Sequence, residues 1–185
     1  MARAGLTHKS VLDDATLFVD TEGFEELTLG KLARRLNVKP PSLYNHVNGL
    51  EGLRRDLTLR GLQILGQDFQ KAAVGKSGKA ALLSIARAYR RFAHTHPGLF
   101  TATLRHVEGE SEDLQAAGKL VLETILAVLK SFGLSGDDAL HATRALRSAL
   151  AGFVLLEQSR GFGLALDVDE SFDRLLLLFV RQLGE

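Results

Sequence analysis

The sequence predicts an all-α protein of nine helices. Three observations carry this: every long segment repeats its apolar residues with a period near 3.6, no segment alternates like a half-buried strand, and glycines and prolines fall where the runs stop. The chain has 185 residues, 45% of them hydrophobic, with three prolines and no cysteine. That length can bury a substantial core in one or two small domains, and the missing cysteines exclude disulfides, thiolate metal sites and thiol nucleophiles. The N-terminus lacks a basic-then-apolar secretory signal, and no apolar run approaches the roughly eighteen residues of a membrane span. The expected location is the cytoplasm.

The elements follow in order. Thr7 or Ser10 caps a first helix running to about Glu22, with Val11, Ala15, Phe18 and Val19 facing the core and Gly23 as its stop. Thr28 opens a second helix, in which Leu29, Leu32, Ala33 and Leu36 make one apolar stripe. Asn37 suits the left-handed residue that ends a helix, and Pro40 and Pro41 block its continuation but fit the first turn of a third. In that third helix Leu43 and Val47 face inward, leaving Ser42, Tyr44, Asn45 and His46 outward or along the edge. Such a pair of short helices around a tight turn is shaped to lie in a DNA groove.

A long fourth helix follows Gly49, from about Leu50 to Ala73, and links the two halves. The stretch Gly75-Lys76-Ser77-Gly78 is the interdomain break, too short for a free linker. Five further helices are expected at about 79–95, 98–106, 112–132, 136–160 and 170–184, punctuated by Pro97, Gly109, Gly133 and Gly161. The last has almost no polar face (Phe172, Leu175, Leu176, Leu177, Leu178, Phe179, Val180, Leu183), so it must be covered on both sides. The eighth presents Ala145, Ser148, Ala149 and Gly152, small enough for another helix to approach closely. A four-helix dimer interface explains both helices, and a monomer core is the alternative.

Net charge is only +1, but its distribution is uneven. Residues 1–30 carry Arg3 and Lys9 against Asp13, Asp14, Asp20, Glu22, Glu25 and Glu26. Residues 31–60 reverse the balance, with Lys31, Arg34, Arg35, Lys39, Arg54, Arg55 and Arg60 facing only Glu51 and Asp56. The basic segment coincides with the paired short helices, as a phosphate-facing surface requires.

At these residues the chain resembles the tetracycline-repressor (TetR) family of bacterial transcription regulators. Leu17, Gly23, Phe24, Thr28, Leu32, Ala33, Leu36, Val38, Ser42, Leu43, Tyr44, His46, Val47, Leu50 and Leu53 carry the resemblance in the first sixty residues. Residues 88–93 (Ala-Tyr-Arg-Arg-Phe-Ala), His96-Pro97, Leu99-Phe100, Leu155-Leu156-Glu157 and Gly161-Phe162-Gly163 are similar to the Trp-His-Gly (WHG) subgroup. At that triplet this chain has Arg147, Ala151 and Gly152. The resemblance implies a helix-turn-helix DNA-binding domain at 1–50 and a ligand-binding and dimerisation bundle at 51–185. It also implies a homodimeric repressor of a palindromic operator, released by a small-molecule effector.

The family pattern then assigns roles by position. Thr28 would present its hydroxyl and a helix N-terminus to a phosphate; Ser42, Tyr44 and His46 would set register on the backbone; Asn45 stands where a base edge is read. Arg34, Arg35 and Lys39, with Arg3 or Lys9 from an N-terminal arm, would supply further phosphate or minor-groove contacts. Gly30 and Leu50 occupy places where a longer reader and a backbone-touching Lys often stand. Tyr89, Phe92, His96, Phe100 and His106, facing Phe153, are the candidate effector-cavity residues, and each could equally be plain core. Residues Gly161 to Val168 could form a lid or a dimer arm.

Two competing readings stay open: an effector-independent DNA-binding protein, and a helical protein that binds a metal or small molecule. For the latter, His94, His96 and His106 with Glu108 and Glu110 are ligand-type side chains. Positions i and i+2 share no helical face, so His94 and His96 converge only if the helix ends at Pro97. No phosphate-binding glycine motif or nucleophile elbow is present, so neither an enzyme nor a cofactor is expected.

Overall fold

A computed structural model describes residues 5–105 and 111–184. Among these every regular element is helical: α1 (His8–Glu22), α2 (Leu29–Leu36), a 3-10 turn (Pro40–Ser42), α3 (Gly49–Ala73), α4 (Gly78–Thr95), α5 (Pro97–Leu104), α6 (Glu112–Lys130), α7 (Gly136–Gln158) and α8 (Val168–Gln182). The expected nine helices are therefore corrected to eight α-helices and one 3-10 turn among the described residues. The missing helix is the third. Pro40 and Pro41 have no N–H to give, and the first bonds close in three residues, Ser42 N to Lys39 O at 2.9 Å and Leu43 N to Pro40 O at 3.0 Å. A lone four-residue bond follows, Val47 N to Leu43 O at 3.0 Å, before α3 begins at Gly49.

The chain forms two compact units, one of residues up to Ile64 with Thr95–Gln115, the other of Leu65–His94 with Ala116–Glu185. These bounds differ from a division after residue 50, and they put α5 with the N-terminal elements. No described helix is long and apolar enough to cross a membrane.

In the first unit, Thr7 caps α1 with a reciprocal pair of bonds to Ser10, and Gly23 ends it at φ 100°, a conformation that costs other residues a clash. Thr28 caps α2, accepting from Lys31 N at 3.1 Å, and Asn37 closes it in the left-handed region. The core joins Val11, Ala15, Phe18 and Val19 of α1 to Phe24, Leu27, Leu32, Ala33, Leu43, Val47, Leu53 and Leu57, each at most 7% exposed. Arg60 of α3 ties onto α1: it donates to Leu12 O (3.1 Å) and Thr16 Oγ1 (2.8 Å) and pairs with Asp13, holding that carboxyl below its ordinary range.

The second unit packs α4 (Leu82, Ile85, Tyr89, Phe92) with α7 (Leu146, Leu150, Val154) and α8 (Phe172, Leu176, Val180). The i, i+4, i+8 spacing on α8 gives that helix one buried stripe and leaves Leu178 62% exposed. Arg90 is the polar hub. Its guanidinium grips Glu157 with two bonds (2.9 and 2.5 Å), reaches Asp169 at 2.7 Å and lies 4.8 Å from the Phe172 ring centroid. That cation lowers the Glu157 carboxyl, assisted by His94 at 2.8 Å.

Candidate nucleic-acid interface

The 3-10 turn and the residues after it present one buried and one open edge. Leu43 is fully buried and Val47 4% exposed, whereas Tyr44 is 62% exposed, Asn45 is exposed, and Ser42 and His46 are half-buried. The inward and outward assignment made from spacing therefore holds although the element is not an α-helix, because Leu43 and Val47 are still joined by a four-residue bond.

Thr28 sits exposed at the head of α2 with its Oγ1 engaged as the cap, so backbone N–H groups of the first turn point the same way. Arg34 and Lys39 are exposed, and among the described residues no carboxylate pairs with either. Arg35 leans to α1, 3.7 Å from Asp14, and Lys31 pairs with Glu26, lowering that carboxyl. Lys9 pairs with Asp13 at 3.5 Å on α1. Arg3 lies outside the described residues. Thr28, Arg34, Lys39, Tyr44 and Asn45 are thus exposed, and Ser42 and His46 half-buried, along α2 and the segment that follows it, where Arg34 and Lys39 have no carboxylate partner among the described residues. Such a surface can bind phosphate oxygens and base edges.

The candidate effector residues divide between the units. Tyr89, Phe92 and Phe153 belong to the second, where Phe153 packs on Phe162 (4.8 Å) and Phe172 (5.1 Å) and Tyr89 lies 6.4 Å from Phe69. Burial pushes the Tyr89 hydroxyl up to about 12 against the opposing pull of Arg147. His96 and Phe100 belong to the first: His96 Nδ1 is 2.9 Å from Asp20 Oδ2, and Phe100 is fully buried. His106, Glu108 and Glu110 lie outside the described residues. His94 and His96 take their carboxylate partners, Glu157 and Asp20, in different units. Among the described residues no three metal-ligating side chains converge.

Sequence reasoning missed Asp20, Arg60 and Arg90, because each acts across more than forty residues of chain. Asp20 had one sequence signal. A helix opening His96-Pro97 has no capping side chain of its own, so its cap must come from elsewhere.

The comparisons agree with this architecture. Residues 82–179 match the family model described as tetracyclin repressor-like, C-terminal domain. An uncharacterised HTH-type transcriptional regulator of Mycobacterium tuberculosis is 38% identical, over 94% of this chain and 80% of that protein. The tetracycline repressor protein class D of Escherichia coli is 30% identical, over 84% of this chain and 68% of that protein. Among solved structures, the Streptomyces coelicolor TetR family protein ActR in complex with (S)-DNPA superposes with a TM-score of 0.72, at 20% identity and 98% coverage of each chain. With residues 82–179 matching the family model and nearly the whole chain matching the mycobacterial regulator, the chain belongs to the TetR family of HTH-type transcriptional regulators.

Proposed function

We propose that the protein is a cytoplasmic, homodimeric repressor that reads a palindromic operator with residues 28–50 of each subunit and releases it when a small molecule enters the C-terminal bundle. The observation that carries this is the split at Leu43 and Val47, buried, against Tyr44 and Asn45, exposed, and His46, half-buried, together with the exposed Arg34 and Lys39, which have no carboxylate partner among the described residues. In this reading Thr28, Ser42, Tyr44 and His46 bind phosphates and Asn45 pairs with a base edge, an adenine by geometry, worth about 1 to 3 kcal/mol of discrimination. No catalytic step is part of it.

The dimer is supported by surfaces a lone chain leaves open. On α7, Ala145, Ser148 and Gly152 are exposed, and a Cβ added at Gly152 would meet nothing within 4 Å. Along α8, with Phe153 of α7, a groove of about 1040 Å³ is lined by Leu175, Leu177 and Leu178 and by the charged Glu170, Asp173, Arg174 and Arg181. A lining carrying both signs can pair with its own two-fold copy. Two copies also present two reading surfaces, which a palindrome requires.

One observation favours a regulator without an effector: Tyr89, Phe92 and Phe100 are 5%, 1% and 0% exposed, as core side chains are. A thermal-shift screen followed by operator binding separates the two, since a true effector must both stabilise the protein and lower its affinity for DNA. The DNA-binding role itself is tested by titrating random duplexes in a salt series. Steep loss of affinity with salt is expected, and binding that is absent or indifferent to salt overturns the reading.

A further inference from the structure

We propose that Asp20 is a positioning residue for DNA recognition, acting by clamping α5 into the unit that holds the reading surface; this rests on the DNA-binding role above. Helix α5 has eight residues, fewer than the roughly twelve to fifteen at which an isolated helix becomes even marginal in water. Its order must come from its surroundings, and its first turn shows how.

A helix leaves its first N–H groups without internal partners. In α5 the first residue, Pro97, has none, and Phe100 N reaches back to His96 O at 2.8 Å. The two between, Gly98 and Leu99, both donate to Oδ1 of Asp20, at 3.0 and 3.2 Å. The other carboxylate oxygen meets His96 Nδ1 at 2.9 Å. His96 stands at the N-cap position yet makes no side-chain cap, so a residue 76 positions earlier in the chain does the capping. The Asp20 side chain is only 14% exposed, and its charge sits where the helix dipole favours an anion.

The seat is close as well as polar. A Cβ at Gly98 would overlap the backbone of Val19, so α5 packs on α1 only because that position is glycine. A neighbouring face of α5 meets α3: Thr103 Cγ2 and Leu99 O would lie 2.8 and 3.2 Å from a Cβ at Gly61, and Thr58 Oγ1 is 3.5 Å from Ala102 O. At its exit Arg105 pairs with Glu25 and lies 5.5 Å from the Phe24 ring, between α1 and α2. Helix α5 thus packs on both α1, which braces α2, and α3, which follows the reading turn directly. Removing the clamp loosens the frame that fixes Tyr44, Asn45 and His46 relative to Arg34.

The test uses full-length Asp20→Ala and Asp20→Asn with a duplex selected by the wild-type protein from a random pool, well below the unfolding temperature and with helical content checked. Asp20→Ala should bind the selected duplex about tenfold more weakly while losing about threefold or less on random duplex. Asp20→Asn, which keeps an oxygen for Gly98 and Leu99, should stay within about threefold of wild type. Amide exchange at Gly98 and Leu99 should accelerate in Asp20→Ala. If Asp20→Ala does not fold, Asp20→Glu, whose carboxylate is displaced by one methylene, carries the same comparison. Unchanged affinity despite faster exchange overturns the positioning role, as do equal losses on both duplexes, which mark a smaller folded fraction. Unchanged exchange overturns the clamp. A wild-type protein that selects no duplex overturns the DNA-binding reading instead, and exchange at Gly98 and Leu99 still reports on the clamp.

Discussion

Thr28 caps α2 with its hydroxyl. Its Oγ1 accepts from Lys31 N at 3.1 Å, so Thr28→Ala should cost about 1 kcal/mol of stability, read as a lower thermal midpoint. Serine at that position should restore most of it. In the second unit, Glu157 is held below its ordinary 4.5 first by Arg90. The folded state binds this proton less readily than the unfolded one, so the pair contributes fully above that ordinary value and is lost as pH falls through the folded-state one. Acid unfolding should therefore begin at higher pH in Arg90→Met than in wild type, and the variant should already be less stable at neutral pH by on the order of 2 to 3 kcal/mol. Coincident acid transitions would contradict the role given to the pair. Tyr44 is the opposite case: 62% exposed, it adds little to the core, and Tyr44→Ala should leave the midpoint almost unmoved while weakening binding to every duplex. Asn45→Ala should instead relax sequence preference, and equal effects across sequences would refute its assignment to a base edge.

Among the elements, most boundaries were legible because local chemistry set them. Thr7, Thr28, Asn37 and Gly23 end or open helices where their side chains and backbone preferences say they should. The third element departs from an α-helix for an equally local reason: the proline pair that permits a helix to start also removes two donors, and Gly49 arrives before a second α-turn can form. The facing of Leu43 and Val47 survived because four-residue spacing needs only one turn. Leu43→Ala should cost about 2 to 5 kcal/mol, since the side chain is wholly buried. What spacing could not give was partnership between distant elements, above all the capping of α5 by Asp20 and the grip of Arg90 on α7 and α8. Helix α7 offers a test of the dimer. Gly152→Leu has open space within the chain, so it should leave helical content intact yet raise the concentration at which the dimer forms, measured by analytical ultracentrifugation.

For the whole molecule, the fold class and the family followed from the sequence because both rest on repeated, short-range signals. The candidate effector residues were less legible, since aromatics at helical spacing mark a core and a cavity alike. His96 and Phe100 stand in one compact unit and Tyr89, Phe92 and Phe153 in the other, a division no periodicity could reveal. That same division governs the birth of the protein. The first unit is assembled from two stretches of chain, and its α5 lies some thirty residues beyond Ile64. A nascent polypeptide emerges N-terminus first, and domains ordinarily fold as they leave the ribosome. Here α1, α2 and the turn are synthesised early but remain without α5 until translation has passed residue 104, with residues 65–94 spanning the gap. A message broken between codons 64 and 95 would yield a product that carries Tyr44, Asn45 and His46 but lacks the α5 that packs on α1.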